Sequence, residues 1–249
     1  MLRFVVFPLL FILISCQSQE TSSTEKDMEI PVIFKTQDGM FPESWVLSPI
    51  NARAESLKSH EKERSLKIIE DALSKYPGEF VAKYLTKIYV LGHLEFYGVE
   101  YGGTNSNDVV YLCNKGISMG YSDLYLEQSF HHEFSSVLLR KHPSFFDKNS
   151  WIDQNSGFSY GQGGVNAIIE GKASVELSDT YAAMGVLSQY STSDIEEDFN
   201  AFAEQLFSPS DEFWELVDRW PALQEKVKII VGFYNQLDSS FTLDYFKRL

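Results

Sequence analysis

The stretch HHEFSSVLL at residues 131–139 decides how the whole chain is read. It lies inside SDLYLEQSFHHEFSSVLLRKHP (residues 122–143), where Phe130, Phe134, Val137 and Leu138 fall at i, i+4, i+7 and i+8. That spacing is one apolar stripe of an α-helix. With Pro143 just past its end, the pattern predicts a helix over residues 124–141. On the helical wheel His132 and Ser136 lie almost opposite the stripe, so they are expected to face a cleft or solvent. His131 points about 100° away from His132 around the helix, which disfavours one ion being held by both. Taken alone, two adjacent histidines on an amphipathic helix also describe ordinary polar surface.

Upstream, residues 54–76 read as a helix, with Leu66, Ile69, Leu73 and Tyr76 at helical spacing and Pro77-Gly78 as its stop. KIYVLGHLEFYG (87–98) and DVVYLC (108–113) change the period: they are short, β-branched and aromatic, and predict a small sheet of two to four strands. Downstream, residues 149–192 are rich in loop residues. The glycines of SGFSYGQGG (156–164) lack the GK[ST] of a phosphate loop and fit no dinucleotide fingerprint. The last third is helical again. Ser193 or Asp194 can cap a helix running to about Phe207, a second follows SPSD (208–211), and a third starts on Pro221 with Val227, Ile230, Val231 and Tyr234 as its buried stripe. Helix, small sheet, central helix, then more helices is an α+β order.

The N-terminus reads as a targeting segment. Arg3, the apolar run FVVFPLLFILIS (4–15) and LISC (13–16) resemble a bacterial lipobox, which implies a signal peptide over residues 1–15, cleavage before Cys16 and acylation of that cysteine. The apolar run is shorter than the roughly 18–20 residues of a spanning helix, so membrane association is expected through the lipid alone. Residues 16–29 are polar and read as a flexible tether; residues 30–249 suffice for one core. With Cys16 carrying lipid, Cys113 has no partner and reads as a small buried residue. The formal net charge of −14 argues against nucleic acid as a partner.

Chemistry enters through spacing. Histidines four apart on a helix can share a metal ion, and a glutamate beside the first can act as base on the metal-bound water. Here His132 stands as the first such ligand and Glu133 as the base, but Ser136 occupies the place of the second histidine. A second stretch, MGVLSQYSTSDIEEDFNAFAE (184–204), carries Tyr190 and Glu197. Asp194 and Glu197 also fit a capping box, so the Glu197 carboxylate has a structural use that competes with any chemical one.

Together the two stretches resemble the Bacteroidota family of zinc-binding metallopeptidase lipoproteins (substrate import-associated zinc metallohydrolase lipoproteins). Their pattern runs approximately HHEFAHIL, then GFVSxYAxTNPxEDFAE. The resemblance spans the chain beyond the leader in element order and rests on these two segments. It implies a zincin-like, gluzincin-like metallopeptidase fold, in which a small sheet and an active-site helix precede a helical C-terminal part. It also implies zinc as the family cofactor, with His132 and Glu197 on ligand positions and Glu133 and Tyr190 on catalytic ones. Family members are associated with TonB-dependent nutrient import, which implies an outer-membrane lipoprotein and a peptide or glycan ligand.

The departures fall on the metal shell. Ser136 is a poor zinc ligand beside imidazole, leaving two protein ligands where catalytic zinc usually keeps three. Ala201 stands where the family has a second glutamate, and Asp194 replaces its asparagine. Among the other histidines, His93 is the one that could rescue the set; His60 and His142 read as solvated. The expectation is therefore a degenerate HExxH site (HEFSS) that binds zinc weakly or not at all, with vestigial or weak chemistry at Glu133 and Tyr190, in a binding or accessory component of nutrient uptake. Two alternatives remain open at this point: an active zinc-dependent peptidase with an unusual site, and an unrelated structural envelope lipoprotein.

Overall fold

The computed structural model describes residues 30–249. The expected signal peptide, the expected lipidation at Cys16 and the expected tether lie outside the described residues.

The spine of the sheet is the third strand in chain order. β1 (Val32–Ile33) and β6 (Val109–Cys113) flank β3 (Lys87–Phe96) in parallel, while β2 (Arg53–Ser56) and β4 (Val99–Glu100) pair with it antiparallel. β5 (Gly103–Asn105) lies antiparallel to β6 and ends the path β1-β3-β6-β5. The sheet thus has six strands where two to four were expected. The additions β1 and β2 are two and four residues long, too short to carry a period of two. Because Arg53–Ser56 is strand and Ser59–Glu61 a 3₁₀ turn, the expected helix over 54–76 shrinks to α2 (Lys62–Ser74), which follows the short α1 (Glu43–Val46). Its buried face is Ser65, Ile68, Ile69 and Ala72; Leu66 and Leu73 are only partly covered.

Alternation along the strands makes two apolar faces. Ile88, Val90, Val110 and Leu112 join the main core under the helices, whereas Tyr89, Leu91, Tyr111 and Cys113 pack under the N-terminal segment around Phe41 and Trp45. Cys113 is a buried free thiol, as read.

α3 (Asp123–Lys141) crosses the first face, capped by Ser122, whose hydroxyl accepts from the Tyr125 amide at 3.1 Å. Phe130, Phe134, Val137 and Leu138 are fully buried in the core as the stripe predicts. The loop-rich part carries three short helices, α4 (Lys148–Ile152), α5 (Gly164–Ile169) and α6 (Asp179–Ala182). α7 (Ile195–Phe207) then packs along α3, and α8 (Phe213–Arg219), α9 (Pro221–Leu237) and α10 (Leu243–Phe246) complete the chain. α9 begins on Pro221 as expected. Its buried face is Leu223, Val227, Ile230, Phe233 and Tyr234 together with Lys226, while Val231 is only partly covered. No helix among the described residues is long and apolar enough to cross a membrane.

A buried polar knot ties α7 to α9. Lys226 Nζ donates to Asp198 Oδ2 at 2.5 Å and to Asn155 Oδ1 at 2.7 Å, and sits 4.8 Å from the Trp151 ring centroid. The same Asp198 oxygen accepts from Trp151 Nε1 at 2.8 Å and from the Tyr160 hydroxyl at 2.6 Å. Removing one partner of a fully buried ion pair leaves an uncompensated charge. Lys226→Met is accordingly expected to lower unfolding stability by about 3–5 kcal/mol in urea titrations. A loss under roughly 1 kcal/mol, the value of an exposed pair, would show that the knot is not dry.

Candidate functional site

Two helices build the site. α7 starts at Asp194, whose carboxylate accepts from the Glu196 and Glu197 amides at 2.7 and 3.0 Å. That cap fixes the first turn and leaves the Glu197 side chain free to leave the helix axis. A capping box would turn it back onto the Asp194 amide; instead Glu197 Oε2 reaches His132 Nε2 of α3 at 2.9 Å. Glu204, two turns further along the same face of α7, meets His132 Nδ1, also at 2.9 Å. One imidazole is therefore held by a carboxylate at each nitrogen. Burial by itself would depress the His132 pKa, but the hydrogen bonds that the ring donates to Glu197 and Glu204 outweigh it and hold the ring well above its usual range. This arrangement favours the protonated form of the ring.

Ser136 corrects an expectation. It does not face a cleft or solvent: it is 4% exposed, and its hydroxyl accepts from Asn200 Nδ2 at 2.7 Å. The reason is that α3 is covered twice, by sheet and core on the Phe130 side and by α7 on the His132 side. Asn200 closes over the position that a second histidine would use, with its own Oδ1 buried and unpartnered among the described residues. Ala201 is buried in the apolar core, and the second carboxylate that meets His132 comes from Glu204. Sequence reasoning did not identify Glu204, although its seven-residue spacing from Glu197 was the available signal.

The other histidines stand apart from this pair. His131 is fully buried, takes a 2.9 Å hydrogen bond with the Tyr76 hydroxyl at Nδ1 and stacks on Phe207. Burial pushes its pKa down to about 4, so it is a neutral core residue. His93 pairs with Glu100 at 3.4 Å and Glu95 at 3.8 Å on the sheet and makes no hydrogen bond to His132 or Glu197. His142 caps the end of α3 and stacks on Phe145, and the exposed His60 lies beside Glu61.

Glu133, next to the clamp, points toward the edge of the sheet. Arg140 can only donate, and it donates to Asn105 Oδ1 and to the Ser106 carbonyl. The Asn105 amide is thereby turned so that Nδ2 donates to Glu133 Oε2 at 2.7 Å. Burial raises the Glu133 pKa to about 7 against the opposing pull of His132 and Asn105. Gly103 of β5 is what makes room: a Cβ there would lie 2.9 Å from Glu133 Oε1. On the other side, Tyr190 sits in a 3₁₀ turn (Tyr190–Thr192) with its ring centroid 6.4 Å from that of His132. Burial and then the Glu197 carboxylate raise its phenol far above the ordinary range. Gly164 at the start of α5 comes so close to the Tyr190 hydroxyl and the Glu197 carboxylate that a Cβ would collide with both.

These groups surround a cavity of about 280 Å³ lined by Tyr101, Tyr125, His132, Glu133, Tyr190 and Glu204 among others. The four residues read from the two stretches, His132, Glu133, Tyr190 and Glu197, are thus brought together. Glu197 and Glu204 approach opposite nitrogens of the ring. Among the described residues no group of three or more His, Cys, Asp or Glu side chains is arranged to hold a metal. No protein-family model, curated protein or solved structure matches the chain.

The clamp makes a thermodynamic prediction. Glu204→Gln removes a charge-assisted hydrogen bond and is expected to destabilise the protein by about 1.5–3 kcal/mol. In a His132→Ala background the same change should cost far less, so a double-mutant cycle reads the coupling directly. Equal costs in both backgrounds would mean that the clamp does not form in solution.

Proposed function

We propose that residues 30–249 are a peptide-binding module on a zincin-like scaffold whose metal site has been replaced by an ion-pair clamp. In this reading the chain is a degenerate member of the gluzincin-like metallopeptidase lipoproteins. It is anchored in the outer membrane through Cys16 and serves as a binding or accessory component of nutrient uptake beside a TonB-dependent importer. The observation that carries the reading is the double clamp. A zinc ligand needs an imidazole lone pair, and both His132 nitrogens instead hydrogen-bond to carboxylates at 2.9 Å. The donor set that remains does not fit catalytic zinc: Ser136, the third candidate, is sealed by Asn200.

What the site retains is recognition chemistry. His132, Glu133 and Tyr190 offer charged and polar contacts in a partly enclosed cavity beside the edge strand β5. An unpaired sheet edge favours an extended peptide over a glycan, because its backbone groups match those of another strand.

Metal analysis tests the reading. Purified full-length protein is expected to carry less than about a tenth of an equivalent of zinc after growth in metal, since two donors fall short of the usual three. Ser136→His alone collides with Asn200, so the informative variant is Ser136→His/Asn200→Ala, which supplies a second imidazole and the space for it. Close to one equivalent of zinc in that variant is the expected result. Stoichiometric zinc in the parent together with peptide cleavage would instead establish a working hydrolase. A double variant binding no more zinc than the parent would remove the family reading and leave a structural lipoprotein.

A further inference from the structure

The edge strand β5 separates two cavities of opposite character. The hydrogen bonds from the Cys113 amide to the Gly102 carbonyl and from the Ser106 amide to the Val109 carbonyl mark 102:113 and 106:109 as bonded pairs. Bonded and non-bonded pairs alternate in an antiparallel ladder, so Gly103 and Asn105 direct their N–H and C=O groups away from β6. No group among the described residues hydrogen-bonds to them there. They form a free edge able to accept one more strand.

Register assigns the faces. Gly103 and Asn105 oppose Leu112 and Val110, on the α3 side, where Glu133 and the cavity described above lie. Thr104 opposes Tyr111, on the other side, and borders a cavity of about 190 Å³ walled by Trp45, Ile50, Phe96, Tyr97 and Tyr101. That volume exceeds the about 150 Å³ that suffices for a benzene ring in an apolar protein cavity. Tyr101 lines both cavities, and its hydroxyl is buried without a hydrogen-bond partner among the described residues. On the α3 side the charged lining is Glu100, Glu133, Glu204 and His132, with no lysine or arginine. The His132 ring nitrogens are engaged by Glu197 and Glu204, and Glu100 by Lys115, whereas among the described residues no group hydrogen-bonds to Glu133 Oε1.

Side chains of a strand alternate between faces, so a peptide added to β5 places neighbouring residues in different cavities. We propose that the site binds an extended peptide in which an aromatic or large aliphatic residue stands directly beside a lysine or arginine. The apolar side chain fills the aromatic cavity and the basic one enters the acidic cleft at Glu133. This specificity rests on the peptide-binding reading above and goes beyond it by fixing which residue types are taken and at what spacing.

The test is fluorescence anisotropy of labelled hexapeptides with purified full-length protein. Gly-Ser-Phe-Lys-Ser-Gly and its Lys-Phe counterpart cover both strand directions, and at least one is expected to bind. Replacing its phenylalanine by alanine should weaken binding about tenfold to a hundredfold, the value of burying one ring. Replacing lysine by glutamate, or inserting one glycine between the pair, should weaken it similarly. Val165→Phe, which fills the aromatic cavity from α5, should abolish the advantage of phenylalanine over alanine. Should that variant misfold, Tyr97→Ala at the exposed β3–β4 turn reads the same cavity. Equal affinity for the phenylalanine and alanine peptides would overturn the two-cavity assignment while leaving peptide binding intact. Failure of every peptide to bind would overturn the peptide-binding reading and this inference with it.

Discussion

The carboxylate–imidazolium–carboxylate clamp between α3 and α7 is the contact around which the rest of the site is arranged. His132 is about 15% exposed at its side chain, and Glu197 and Glu204 similarly so, which leaves little water to screen or solvate them. Under such conditions an unpaired charge is costly and a hydrogen-bonded one is tolerated. Each partner therefore requires the others, and together they fix how α7 is turned about its axis and how far along α3 it sits. With α7 held there, Asn200 closes over Ser136, Tyr190 is brought beside the His132 ring, and Gly164 is pressed against both Tyr190 and Glu197.

A second polar anchor works on a different face of the same helix. Asp198 follows Glu197 in sequence but points about 100° around the helix, into the knot formed with Lys226, Trp151 and Tyr160. Apolar contacts such as Phe199 and Phe202 stabilise α7 without discriminating strongly between neighbouring rotations, because hydrophobic burial has no direction. Hydrogen-bonded charges on two faces do discriminate, since a rotation that satisfies one set strands the other. Tyr160 extends that constraint to the loop preceding α5, which leads into Gly164 beside Tyr190 and Glu197.

The helical parts of this arrangement were legible because their signals are local. The stripe of α3, its length to Lys141, the Asp194 cap and the Pro221 start each depend on residues within a few positions of one another. The N-terminal strands were not legible, since Arg53–Ser56 is polar and its pairing with β3 is decided by what lies across the sheet. Ser136 failed for a related reason. A helical wheel locates the most apolar face but cannot reveal that a second helix covers the opposite one, where Asn200 supplies a polar partner instead of water. His132, Glu133, Tyr190 and Glu197 were legible as a group only through the family resemblance that two distant stretches carry. Glu204 was in plain view, but it acquires meaning only when α7 lies alongside α3.

The charge balance links the clamp to the character of the cleft. Three carboxyl groups, Glu133, Glu197 and Glu204, lie around a single cationic ring. With no second cation among them, their mutual repulsion must be relieved by protonation or by pairing. The His132 ring serves Glu197 and Glu204 together, one at each nitrogen. Glu133, which has only the Asn105 amide as a donor, is left with burial pushing its pKa to about 7. The residual demand for positive charge is thus concentrated at Glu133 Oε1, the carboxylate atom that faces Gly103 and the free sheet edge. A bound ammonium or guanidinium at that point would meet the unsatisfied group without disturbing the clamp, whereas an anion would add to the repulsion. Under the proposed peptide-binding reading, the sign of the preferred ligand group follows from how the protein has balanced its own charges, and the free backbone of β5 supplies the means of presenting it.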